Sequence, residues 1–162
     1  MKNIKKNFIT TLIGLLFLTL VMGFKTLGGD ATVAVIISHD NPIAFKDNLT
    51  LSVSEVKSYF LRKAKKRWPE TDKNILPVDK KKNCIEKNIF YSKVLNMDML
   101  EVENYFLEKQ YQDGDKPPDK FNSDKEIIDF VGDEVGAIGY VNINSLTSEA
   151  KTKVKVVLLI NN

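Results

Sequence analysis

The chain carries one cysteine, Cys84, and one histidine, His39, in 162 residues. A lone cysteine excludes an intramolecular disulfide, whatever the redox state of the compartment. A lone histidine excludes a metal cluster or a Ser–His arrangement built around a histidine pair, and His39 reads as a loop residue at a strand end. Carboxylates are plentiful, but none is paired in a way that indicates acid–base chemistry. No acidic residue precedes Asp30, and neither a repeat nor a low-complexity tract is present. Nothing in the pattern calls for a cofactor or a metal ion.

The one long hydrophobic run lies at the start. Lys2, Lys5 and Lys6 precede an uncharged stretch from Phe8 to Phe24, broken only by Thr10, Thr11, Thr19 and the small residues Gly14 and Gly23. A basic start followed by a short apolar core is the plan of a secretory signal peptide. The run is marginal for a hydrocarbon layer of about 30 Å, so an uncleaved N-terminal membrane anchor is the alternative reading of residues 1–29. An Ala-x-Ala cleavage pattern is missing, and no cysteine near the end of the run offers a lipid attachment point.

Removing this leader changes the charge argument. The formal net charge is +3, with 24 basic and 21 acidic residues. Four of the 24, Lys2, Lys5, Lys6 and Lys25, lie in the leader, which leaves 20 against 21 and a mature charge of −1. A nucleic-acid partner argued from a basic chain therefore fails. Residues 30–162 are enough for one domain that buries its own core.

Along that domain, apolar runs suited to strands alternate with capped helical stretches. Thr32 to Ser38 is nearly all apolar, the pattern of a strand buried on both faces. Ser52 and Glu55 form a capping box for a helix expected from Val53 to about Lys65, with Val53, Val56, Phe60 and Leu61 as its stripe. Its basic residues Arg62, Lys63, Lys65, Lys66 and Arg67 fall in the last turn and beyond, where they suit the helix dipole. Ile75 to Val78 reads as a short strand, with Pro77 marking a strand end or edge. Asn83 and Glu86 repeat the capping spacing before a helix whose inner face would be Ile85, Ile89, Phe90 and Val94. A further helix is expected from Asp98 to Tyr111, then a turn-rich loop from Asp113 to Pro118. Ser123 and Glu126 open a short helix with Ile127, Ile128 and Val131 inward. Gly136-Ala137-Ile138-Gly139-Tyr140-Val141 is an apolar strand in which two glycines mark a close approach of another backbone. Lys153 to Ile160 is the last strand. Alternating strands and helices predict an α/β class with a small mixed or parallel sheet.

In that order, several segments carry a resemblance: Asn41-Pro42, Leu49-Thr50, Tyr59-Phe60-Leu61-Arg62-Lys63 through Trp68-Pro69, and Pro77-Val78-Asp79. They continue with Phe90-Tyr91, Val94-Leu95, Lys116-Pro117-Pro118, Ser123-Asp124 and Gly136 to Val141. Together they resemble the small stand-alone domains related to the phosphate-specific solute-binding proteins of ABC transporters. The resemblance implies a single lobe of a periplasmic-binding-protein type II-like fold over residues 30–162. It also implies a secreted, periplasmic or extracellular, non-enzymatic protein.

In binding members, the loop after the Pro-Val-Asp strand offers a glycine and a hydroxyl residue at a helix N-terminus, with an arginine one turn in. The free N–H groups and dipole of such a terminus attract an anion, and arginine adds a two-pronged grip. Here Asn83 stands at the glycine position, Cys84 at the hydroxyl and Lys87 at the arginine. A thiol is a weak donor and lysine a point charge. If an anion binds, its contacts would come from Lys82, Asn83, Cys84, Ile85 and Lys87. The bland alternative is that Asn83 and Glu86 simply cap a helix beside a solvated Lys80-Lys81-Lys82 loop. Cys84 at a helix N-terminus suits a reactive thiol, but the base a nucleophile needs is not visible. The expected partners are an inorganic anion and an envelope or transporter protein. A membrane would be met only through an uncleaved N-terminal segment.

Overall fold

The computed structural model describes residues 31–63, 67–69 and 71–162. The leader expected over residues 1–29 lies outside the described residues. Among those described, no helix is long and apolar enough to cross a membrane.

Five strands form one sheet: β1 (Val33–Ser38), β2 (Leu76–Lys80), β3 (Asp119–Phe121), β4 (Ala137–Asn142) and β5 (Val154–Ile160), in the order β3-β2-β4-β1-β5. β1 is antiparallel to both β4 and β5, while β2 is parallel to β3 and β4. The sheet is therefore mixed. All six residues of β1 are buried, as expected of a strand with covered faces and a neighbour on each side.

Side chains alternate between two layers with the period of two that a strand imposes. Val33, Val35, Ile37, Ile138 and Tyr140 face one core, with α1 (Val53–Phe60), α2 (Ile85–Phe90) and α3 (Met99–Asp113) against them. Ala34, Ile36, Ala137 and Val141 face the other, packed on α4 (Asp124–Asp133) and the short α5 (Ala150–Lys153). Stacked Phe90 and Tyr140 rings, 4.1 Å between centroids and 4° from parallel, centre the first layer. Trp68 is fully buried there as well, its indole N–H donating to the Gly136 carbonyl at 2.9 Å.

Gly136, just before β4, and Gly139 within it are constrained differently. A Cβ on Gly136 would lie 2.2 Å from the Asn74 carbonyl oxygen, so this glycine admits a neighbouring backbone, as the sequence suggests. A Cβ on Gly139 would lie 2.8 Å from methyls of Ile127 and Val78. There the close neighbours are side chains of α4 and β2, not a backbone.

Several boundaries depart from expectation. α1 ends at Phe60, well before Lys65, because Arg62 takes a left-handed φ of 54° and turns the chain. Val53 at its start is exposed, so the stripe is carried by Val56, Tyr59, Phe60 and Leu61. The capping boxes at Ser52/Glu55 and at Asp98/Glu101 are both formed. Asn83, however, caps nothing: the N-cap of α2 is Cys84, with no side-chain cap bond, and Ile85 is exposed. After Phe90 the backbone widens into a π turn over Tyr91–Leu95, which a 3.6-residue period does not anticipate. Pro77 stands near the start of β2, and β3 pairs only from Val78 onward, so the missing N–H costs no ladder bond on that side.

Candidate functional site

The parallel strands β2 and β4 end beside the first turns of α2 and α4, the kind of crevice where open α/β sheets place ligands. Two charge clusters, the first buried and the second partly buried, fill this end of the sheet. Asp79 is the centre of the first. Its Oδ2 accepts from Lys87 Nζ at 2.9 Å and from the Tyr91 hydroxyl at 2.8 Å. Its Oδ1 accepts from the Lys80 backbone N–H at 2.7 Å and from the Tyr140 hydroxyl. Lys87 also donates to the Lys80 carbonyl at 2.6 Å. The Lys87 and Asp79 side chains are 3% and 4% exposed. Such a pair persists because each charge has its counter-charge and its remaining hydrogen bonds.

Lys80 centres the second cluster. Its ammonium pairs with Asp124 and lies 3.8 Å from Glu86 Oε2. Asp124, the first residue of α4, also accepts from the Asn142 backbone N–H at 2.9 Å and from Ser145 Oγ at 2.7 Å. Glu86 accepts from Asn142 Nδ2 at 2.9 Å. Burial would raise the Glu86 carboxyl, but hydrogen bonds from Asn142, its own backbone N–H and the Cys84 thiol, with the Lys80 charge, bring it below its ordinary value. Each helix N-terminus here thus holds a carboxylate from its own first turn, which is what a positive dipole end favours.

The five residues read from sequence as anion contacts lie in the loop and first turn of α2, four of them exposed or half-buried and Lys87 buried. Lys82 and Asn83 are exposed in the loop, with Lys81 beside them, and Ile85 points outward. Cys84 is half-buried, and burial first, with the neighbouring Glu86 also contributing, pushes its thiol up. Such a thiol is a poor nucleophile at neutral pH. Lys87 alone turns inward, onto Asp79. Sequence reasoning passed over Asp79, Lys80, Asp124, Asn142 and Ser145 as site residues. Acids at the two helix starts are the one local sign of them, since Asn142 and Ser145 arrive from a distant strand end. Among the described residues, no group of three or more His, Cys, Asp or Glu side chains could hold a metal ion.

No protein-family model matches the chain, and no curated protein matches it in sequence. Solved structures do. An ABC-type phosphate transport receptor from Vibrio cholerae matches with a TM-score of 0.57 at 16% identity, over 78% of this chain and 46% of the receptor. A possible phosphate binding protein from Planctomyces limnophilus matches with a TM-score of 0.49 at 19% identity, over 78% of this chain and 41% of that one. The first likeness is one of fold, and the chain spans less than half the length of the receptor. The mixed five-stranded sheet flanked by helices is thus the α/β fold of a periplasmic-binding-protein-like lobe, as the resemblance implies.

Proposed function

We propose that this chain is a secreted, non-enzymatic domain related to the substrate-binding proteins of phosphate ABC transporters, with its oxyanion grip lost, acting through protein contacts in the periplasm or at the envelope. One observation carries the reading. The lysine at the arginine position, Lys87, is spent on buried Asp79, and the helix N-terminus that would face an anion already holds Glu86. An incoming phosphate would meet a filled dipole end and a nearby negative charge rather than free donors.

A second reading rests on Lys81 and Lys82, exposed beside the start of α2. They would attract a small anion loosely, and a second copy or a partner chain would have to complete the site. Calorimetric titration of the purified protein with phosphate, sulfate and small carboxylates separates the two. The first reading expects no saturable heat at micromolar anion. Saturable binding below about 10 µM, equivalent to roughly 7 kcal/mol, lost on Lys82→Ala, supports the second.

A further inference from the structure

A cavity of about 310 Å3 lies under α3, on the sheet face away from α4, and none of the residues read as anion contacts except Lys87 borders it. Its walls are apolar: Phe60, Leu95, Val102 and Phe106 are buried side chains that line it, and Pro117 and Pro118 form the opposite lip. Leu107 stands at the mouth, 66% exposed. The cleft opens to solvent beside Leu107, and its volume falls at the lower end of the roughly 300–1,000 Å3 of small-molecule sites.

The charge of the lining selects the occupant. Asp79 and Lys87 neutralise each other at the floor, and the other two charged liners, Glu103 and Lys120, are of opposite sign. The lining carries no net charge, so it favours neither an inorganic anion nor a cation. The floor still has hydrogen-bonding capacity. Lys87 has three donors, and its two hydrogen bonds use two of them. The Tyr91 hydroxyl donates to Asp79, which leaves its oxygen able to accept.

We propose that this cavity binds an uncharged, mainly apolar small molecule with one hydrogen-bonding end, a hydroxyl or carbonyl, directed at Lys87 and Tyr91. The cavity shares Asp79 and Lys87 with the charge cluster at the strand ends, but its apolar walls and uncharged lining set its occupant apart from an anion.

The test is fluorescence titration of the full protein with the uncharged apolar probe N-phenyl-1-naphthylamine. Saturable enhancement at one probe per chain is expected, with displacement by decanol, weaker displacement by decanoate and none by inorganic phosphate. Val102→Phe, which fills the cavity, and Leu107→Trp, which narrows its mouth from an exposed position, should each weaken the probe by at least about tenfold. Leu159→Ala, an exposed apolar residue on β5 away from the cavity, should leave it unchanged. Should Val102→Phe fail to fold, Leu107→Trp decides. The proposal is overturned if the wild type shows no saturable enhancement, if Leu107→Trp binds as the wild type does, or if Leu159→Ala weakens the probe equally. Displacement by phosphate overturns it too, because the cavity would then be an anion site. Calorimetric titration with phosphate has its own outcome and is not decided by this one.

Discussion

Asp79 holds four donors on one carboxylate: two phenols, an ammonium and a backbone N–H. Asp79→Ala leaves Lys87 buried without its counter-charge and should cost about 3–5 kcal/mol in urea denaturation. Adding Lys87→Met to that variant should recover part of the loss, because the uncompensated charge goes with it. The same carboxylate governs alkaline behaviour. Burial first, then the Asp79 charge, raises the Tyr91 and Tyr140 phenols well above their ordinary value of 10. Below pH 10 both phenols are protonated in the folded and unfolded states, and their contribution to stability is complete. Above it the unfolded chain releases these protons while the folded chain keeps them, so stability falls as pH rises, by about 1.4 kcal/mol per unit for each tyrosine. Phenolate absorbance should therefore develop in two stages, Tyr91 and Tyr140 ionising only as the chain unfolds.

At the scale of elements, four of the five strands and most helices were legible because their signals are local. The near-continuous apolar run of β1, the Ser52/Glu55 box, the Ser123 cap and the Gly136–Val141 pattern each announce themselves within a few residues. What stayed hidden depends on distant partners. β3 is three residues long and exists because β2 offers it a parallel edge from Val78 onward. The N-cap of α2 is Cys84 instead of Asn83, and the Glu86 carboxylate is engaged by Asn142 from the distant end of β4. The fate of Lys87 was equally invisible, since the sequence offers it as an anion contact and only the fold sets Asp79 beside it. Gly136 gives a direct test of the close approach inferred from sequence. Gly136→Ala forces a Cβ against the Asn74 carbonyl, which cannot swing aside as a side chain can. It should cost about 1–3 kcal/mol, toward the upper end, and disturb the Trp68 indole bond to the same residue. Tryptophan emission during urea denaturation reports both effects, Trp68 being the only tryptophan.

For the whole molecule, one sheet separates two layers with different tasks. The α4 and α5 layer seals one face with aliphatic side chains, while the α1, α2 and α3 layer combines the aromatic core, the Asp79 cluster and the apolar cavity. Between them, at the ends of β2 and β4, the helix starts that commonly receive anions hold Glu86 and Asp124, with Lys80 between the two. The central claim is that these internal carboxylates stand where an oxyanion would. Comparing phosphate titrations of the wild type and Glu86→Gln tests it most directly, because glutamine keeps the acceptor for Asn142 and removes only the charge. The account predicts no saturable phosphate binding by the wild type and measurable binding by Glu86→Gln. Micromolar binding by the wild type, unimproved by Glu86→Gln, would contradict it.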